Sequence, residues 1–168
     1  GFYLAIMLVL WVLILRGISI EFRSHLADRM WRTFWDGTFA FASILAPVLF
    51  GAALGNLLRG VPLDREGWFA LSFFESFSPS GELGILDWYT ILVGLTAAAA
   101  LAHHGALWLL LKTDGPVHDR AGRAAAVLWP VVLLLTLAVI SVSGIVQPHA
   151  RVALGARVWA IALPVLGL

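Results

Sequence analysis

From Ala124 to Val146 the chain carries no charged side chain and no histidine. As a helix rising 1.5 Å per residue, such a stretch is long enough to cross the ~30 Å hydrocarbon core of a bilayer. Two further runs, Phe34–Leu58 and Ile85–Leu111, are of similar length. A fourth, Gly1–Leu15, reaches only about 22 Å and reads as a truncated span. A fifth begins near Val158 and continues to Leu168. None shows the period-2 alternation of a barrel strand. Lipid offers no hydrogen bonds, so the backbone of each segment must satisfy itself, and that requires helices. The expected fold is all-α: a polytopic transmembrane helix bundle, residues 1–168 forming a single domain that is part of a larger bundle. The missing initiator Met and the cut apolar runs predict an internal piece of a longer protein.

Composition agrees. Hydrophobic residues make up 61% and charged residues 12% of the chain, against about 45–50% and 25% in soluble domains. A net charge of +1 and the lack of a basic run argue against a nucleic-acid partner. With no cysteine, disulfides, thiolate metal sites and covalent haem attachment are excluded within this stretch.

The connecting loops differ in charge. Residues 16–33 hold Arg16, Arg23, Arg29 and Arg32, and residues 112–123 hold Lys112, Arg120 and Arg123. The second loop has Arg59 and Arg65 against five carboxylates, Asp64, Glu66, Glu75, Glu82 and Asp87. By the positive-inside rule, loops 16–33 and 112–123 are cytoplasmic. The 59–84 loop, rich in Gly and Pro, reads as turns and a short surface helix on the other side. Its Trp68, Phe69, Phe73, Phe74 and Phe77 suit an interfacial aromatic belt.

Ionisable residues at membrane depth are the natural candidates for function. His103 and His104 lie about 12–14 Å from the Lys112 end of their helix. Adjacent helical positions point about 100° apart, so the pair is not expected to share one inward-facing site. A b-type haem needs a second His or Met from another helix. The other histidines fall in loops, which leaves only Met7 opposite His104. Histidines hydrogen bonding between helices are the plainer reading, and no haem is expected here. Asp28 is placed to cap the second helix three residues before Trp31. Glu21 and Asp36, beside Trp31-Arg32 and Trp35, read either as structural interface residues or as acceptors of cytoplasmic protons. Gly51 and Gly55 form a G-x-x-x-G step for close helix packing. Gly94 and the Ala97–Ala100 cluster read the same way. Asn56 is expected to end its helix by hydrogen bonding in the turn. No P-loop, dinucleotide fingerprint, H-E-x-x-H or G-x-S-x-G motif is present.

Three blocks occur in an order that resembles the second subunit of the cytochrome bd family of quinol oxidases. The first runs from Gly1-Phe2-Tyr3 through Leu15-Arg16 and Glu21-Phe22-Arg23-Ser24 to Trp31-Arg32 and Trp35-Asp36. The second is Gly51 to Pro62, containing Gly55-Asn56-Leu57-Leu58. The third is His104-Gly105-Ala106, Leu111-Lys112-Thr113-Asp114-Gly115 and Arg120-Ala121. Glu21 stands where the family more often has Asp. The resemblance implies helices three to six of that subunit and the start of the seventh. It further implies a bacterial inner-membrane heterodimer that oxidises quinol, reduces dioxygen to water and builds a proton gradient. The haem-bearing subunit I would carry haem b and haem d. This chain would hold no catalytic, cofactor or metal ligand, and would contact its partner and membrane lipids. His104, Asp36, Glu21, Asn56, Gly51 and Gly55 are the candidate functional or interface residues. A secondary transporter or a membrane scaffold is the alternative.

Overall fold

A computed structural model of the chain describes residues 3–60 and 84–147. The predicted aromatic belt of the 59–84 loop and the run beginning near 158 lie outside the described residues. Four helices follow in order: α1 (Tyr3–Arg23), α2 (Arg29–Arg59), α3 (Trp88–Lys112) and α4 (Pro116–Val146). All four are long and apolar enough to cross a membrane. Each packs on the next in sequence, α1 on α2, α2 on α3 and α3 on α4.

Local chemistry sets the helix ends. Asp28 caps α2, its Oδ2 accepting from Trp31 N at 3.1 Å. Gly60 closes that helix at φ 88°, its N–H donating to the carbonyls of Asn56 and Leu57. Asp87 and Thr90 form a reciprocal capping box at the start of α3, which satisfies two otherwise orphaned donors. Gly115, at φ 71°, turns the chain into α4, where Pro116 occupies the first turn. Pro47 and Pro130 lie inside α2 and α4 without interrupting either.

The spans therefore need correcting at their ends. The first helix runs on to Arg23 rather than stopping at Leu15. The second starts at Arg29 instead of Phe34, and the fourth at Pro116 instead of Ala124, while the third starts at Trp88 rather than Ile85. Hydrophobicity marks where a helix leaves lipid, whereas capping marks where it ends. The loops read as 16–33 and 112–123 shrink to the turns at 24–28 and 113–115.

The interior is built from small residues. Val12, Ala42 and Ala46 form the buried cluster, with Leu45 and Leu49 against it. Large side chains point outward, as at Leu134 (67% exposed) and Ile145 (72%). That inversion suits helices packing in lipid, where contact favours small residues. The α2–α3 crossing is its extreme: a Cβ on Gly51 would lie 2.7 Å from Gly94 Cα, and one on Gly94 would lie 2.6 Å from the Val48 carbonyl. A Cβ on Gly55 would be 3.2 Å from Thr90 Cα. The close-packing role expected of Gly51, Gly55 and Gly94 is what these positions do.

Candidate functional site

Where α2 ends and α3 begins, polar groups gather in the interior. Arg59 extends to Asp87, and both side chains are almost fully buried (6% and 4% exposed). Its second terminal nitrogen donates to Gly84 O (2.9 Å) and Asn56 Oδ1 (3.0 Å). Asn56 Nδ2 donates to Ile85 O (2.7 Å) and to Ala52 O (3.0 Å). Gln147, just past α4, donates from Nε2 to Arg59 O at 2.9 Å, and Tyr89 meets Ser143 through their hydroxyls at 2.8 Å. The cluster thus joins the end of α2 to the residues just before α3 and ties in the end of α4. Asn56 does not end its helix as expected, since α2 continues to Arg59 and closes at Gly60; its amide instead bridges α2 to the residues leading into α3.

At the opposite end, Arg23 at the close of α1 donates from Nε to Asp36 Oδ1 at 2.5 Å, with both side chains about half exposed. Trp31 Nε1 donates to Phe22 O at 2.6 Å, and Phe22 stacks on His25 and Trp35. Asp36 is thereby held across the α1–α2 pair. Glu21 is exposed, and its backbone carbonyl accepts from Ser24 N. The two carboxylates are not brought together; Arg23, not Glu21, reaches Asp36.

The histidines lie elsewhere. His103 is half-buried, with Nδ1 enclosed and without a partner, and His104 is exposed. Both nevertheless border one cleft of about 570 Å³ between α3 and α4, with Ala100, Ala125 and Trp129. Within the cleft His103 is the enclosed one and His104 stays exposed, in keeping with adjacent helix positions pointing about 100° apart. The cleft walls offer no methionine and no histidine from α4. Met7 sits on α1, whose packing partner is α2. These residues therefore do not fit a haem ligated from two helices. Among the described residues no group of three His, Cys, Asp or Glu could hold a metal ion. A second cleft, about 490 Å³ and lined by Leu8, Val9, Leu49, Phe50, Asn56 and Ile85 among others, opens between α1 and α2.

Comparison with known proteins gives this geometry its context. The family model for cytochrome bd terminal oxidase subunit II matches residues 1–168. The chain belongs to the cytochrome bd subunit II family. Cytochrome bd-I ubiquinol oxidase subunit 2 of Escherichia coli K12 is 32% identical over 149 residues, 86% of this chain and 36% of that protein. The "Probable cytochrome oxidase subunit 2" of Haemophilus influenzae is 35% identical over 125 residues, 72% of this chain and 31% of its own length. Cytochrome bd ubiquinol oxidase subunit 2 of Bacillus subtilis is 29% identical over 143 residues, 85% and 40%. The chain thus spans only about a third of the curated relatives it matches.

In this bd subunit II chain, the family-resembling blocks fall at both ends of the bundle. Glu21 through Asp36 span the end of α1, the 24–28 turn and the start of α2, and Gly51 through Asn56 take part in the close α2–α3 contact and the polar cluster. Sequence reasoning missed Arg59, Asp87, Thr90 and Gln147. One signal was available: Asp87-x-x-Thr90 ahead of an apolar run is capping-box spacing. Nothing in sequence order pairs Arg59 with Asp87 across the intervening segment.

Proposed function

We propose that the chain is part of the haem-free subunit II of a cytochrome bd-type terminal oxidase. The complex couples quinol oxidation to reduction of dioxygen to water and builds a proton gradient across a bacterial inner membrane. The observation carrying this reading is the family match along all 168 residues, joined by relatives whose names specify ubiquinol oxidase subunits. Haem b and haem d would reside in subunit I, with which the full-length protein forms a heterodimer.

This chain's own contribution is structural support for that partner and its proton or oxygen access. Its outer helices offer broad apolar faces, as at Trp11 (61% exposed) and Leu134 (67%). The polar cluster around Arg59 holds α2, α3 and α4 in fixed register beneath them. The 24–28 and 113–115 turns face the cytoplasm, and the Arg59–Asp87 cluster faces outward. At the inner end, Asp36 fixes Arg23 and thus the α1–α2 turn. The transporter alternative calls for paired broken helices at the midplane, but α2 and α4 run unbroken through their prolines.

The test expresses the haem-bearing partner with and without the full-length protein that contains this chain. Quinol-driven oxygen consumption and the reduced-minus-oxidised spectrum of the membranes are recorded. Both the activity and the d-type haem signal are expected to depend on this subunit. Persistence of both in its absence would remove the oxidase reading and bring a transporter or scaffold role forward.

A further inference from the structure

The described cations are distributed unequally. Arg16, Arg23, Arg29, Arg32, Lys112, Arg120 and Arg123 are all exposed, and all lie toward the end of the bundle that carries the 24–28 and 113–115 turns. Arg59, at the other end, is buried and neutralised by Asp87. Within the basic end, one edge concentrates charge. Arg16 and Arg23 are seven residues apart on α1, so they lie within about 20° of each other and about 10 Å apart along the axis. Arg16 rests over the Phe39 ring of α2 at 5.5 Å, and Arg23 meets Asp36. On α2, Arg32 shares the face of Asp36 and Phe39 at i+4 and i+7. Three guanidinium groups therefore line one α1–α2 edge against two carboxylates, Asp36 and the α2 cap Asp28 one turn before Arg32. Glu21 points about 140–160° away around α1.

We propose that this edge, formed by Arg16, Arg23 and Arg32, is a docking surface for the headgroup of an anionic phospholipid. Its charge complements a phosphodiester, and its height is right. Arg16 stands where the apolar run of α1 gives out after Leu15, which is headgroup level for a helix leaving lipid. Guanidinium is suited to phosphate because its planar fork can donate two parallel hydrogen bonds. Stacking on Phe39 fixes the position of the Arg16 head while leaving its N–H edges free to donate. The same flank of α1 carries exposed Leu13 (41%) one turn from Arg16 toward the apolar run, which gives an acyl chain an apolar surface beside that charge. That continuity favours a lipid over free phosphate. The proposal goes beyond the oxidase reading and does not depend on which reaction the complex performs.

The experiment uses the full-length complex, purified and titrated with dioleoylphosphatidylglycerol or dioleoylphosphatidylcholine, with retained lipids counted by native mass spectrometry. Phosphatidylglycerol should be retained in preference, and R16Q/R32Q should weaken that retention. The expected loss is roughly five-fold per charge removed, or roughly 25-fold for the pair. R16K/R32K should keep most of the preference. If the double substitution lowers the yield of folded complex, R32Q alone, at an exposed position, gives the same readout. Equal retention of the two lipids by the unaltered complex would overturn the proposal, as would a phosphatidylglycerol preference unchanged in R32Q and R16Q/R32Q. Displacement of the lipid by excess inorganic phosphate would overturn the lipid assignment and leave a bare anion site.

Discussion

Gly94 sits at a tight α2–α3 contact, because any Cβ there would meet the Val48 carbonyl at 2.6 Å. That neighbour is backbone, so the conflict cannot be relieved by a rotamer change. Gly94→Ala and Gly51→Ala are expected to cost about 1–3 kcal/mol each through forced helix separation. Gly105→Ala, with nothing within 4 Å of its added Cβ, should instead be neutral or stabilise α3 by up to about 1 kcal/mol. Thermal inactivation of the purified complex in detergent would separate these cases, and equal behaviour of all three would refute the close-contact argument. The Arg59–Asp87 pair makes a second residue-level prediction. Asp87→Ala leaves a buried guanidinium without its counter-charge and should cost about 3–5 kcal/mol. Arg59→Met combined with Asp87→Ala should recover part of that loss; a double variant no better than Asp87→Ala alone would mean that the capping role of Asp87 dominates. The glycine contacts were legible in the sequence because their spacing on one helix is itself the signal. The ion pair was not, since its members lie far apart in sequence and no spacing rule pairs them.

At the scale of the element, the helices are governed by two kinds of end. Each of the four apolar runs within the described residues overlaps one helix, because a segment crossing lipid must be apolar along its length. They misplaced the termini of α1, α2 and α4 by five to eight residues, because outside lipid a helix continues until a cap stops it. Arg16 to Arg23 remains helical although it contains Arg16, Glu21 and Arg23, since charges on a water-facing turn cost nothing comparable to burial. The Asp28 cap was readable from its position ahead of Trp31, and the structure places its carboxylate on that N–H. Asp28→Ala should destabilise the start of α2 by about 0.5–2 kcal/mol, whereas Asp28→Asn or Asp28→Ser should be close to neutral. Hydrogen exchange at Trp31 and its neighbours is the appropriate measurement, because fraying at one terminus need not alter global stability. Protection unchanged in Asp28→Ala would assign the helix start to the Trp31–Phe22 and aromatic contacts instead. The exposed Arg23–Asp36 pair belongs to the same turn and should be worth at most about 1 kcal/mol. If Asp36 serves only to clamp the turn, Asp36→Asn leaves quinol-driven turnover and its pH profile unchanged; a shifted profile would give it a part in proton uptake.

For the molecule as a whole, the decisive asymmetry is between a basic end with short turns and an end whose only described cation is buried. Exposed arginine at the basic end resists translocation and interacts favourably with an anionic leaflet, while the Arg59–Asp87 pair presents little net charge to either side. This predicts the orientation of the full-length protein in the cell. The 168 residues contain no cysteine, so single reporters can be placed in this part without removing native thiols. Ala27→Cys, in the α1–α2 turn, and Asp114→Cys, in the α3–α4 turn, are both exposed and avoid the helix interfaces. A membrane-impermeant maleimide should label both in inverted vesicles and neither in intact spheroplasts. Labelling of both from outside would reverse the orientation and move the proposed lipid surface to the outer leaflet. Labelling of one turn from each side would contradict the antiparallel order itself, since α2 and α3 together carry the chain across the membrane and back between the two turns.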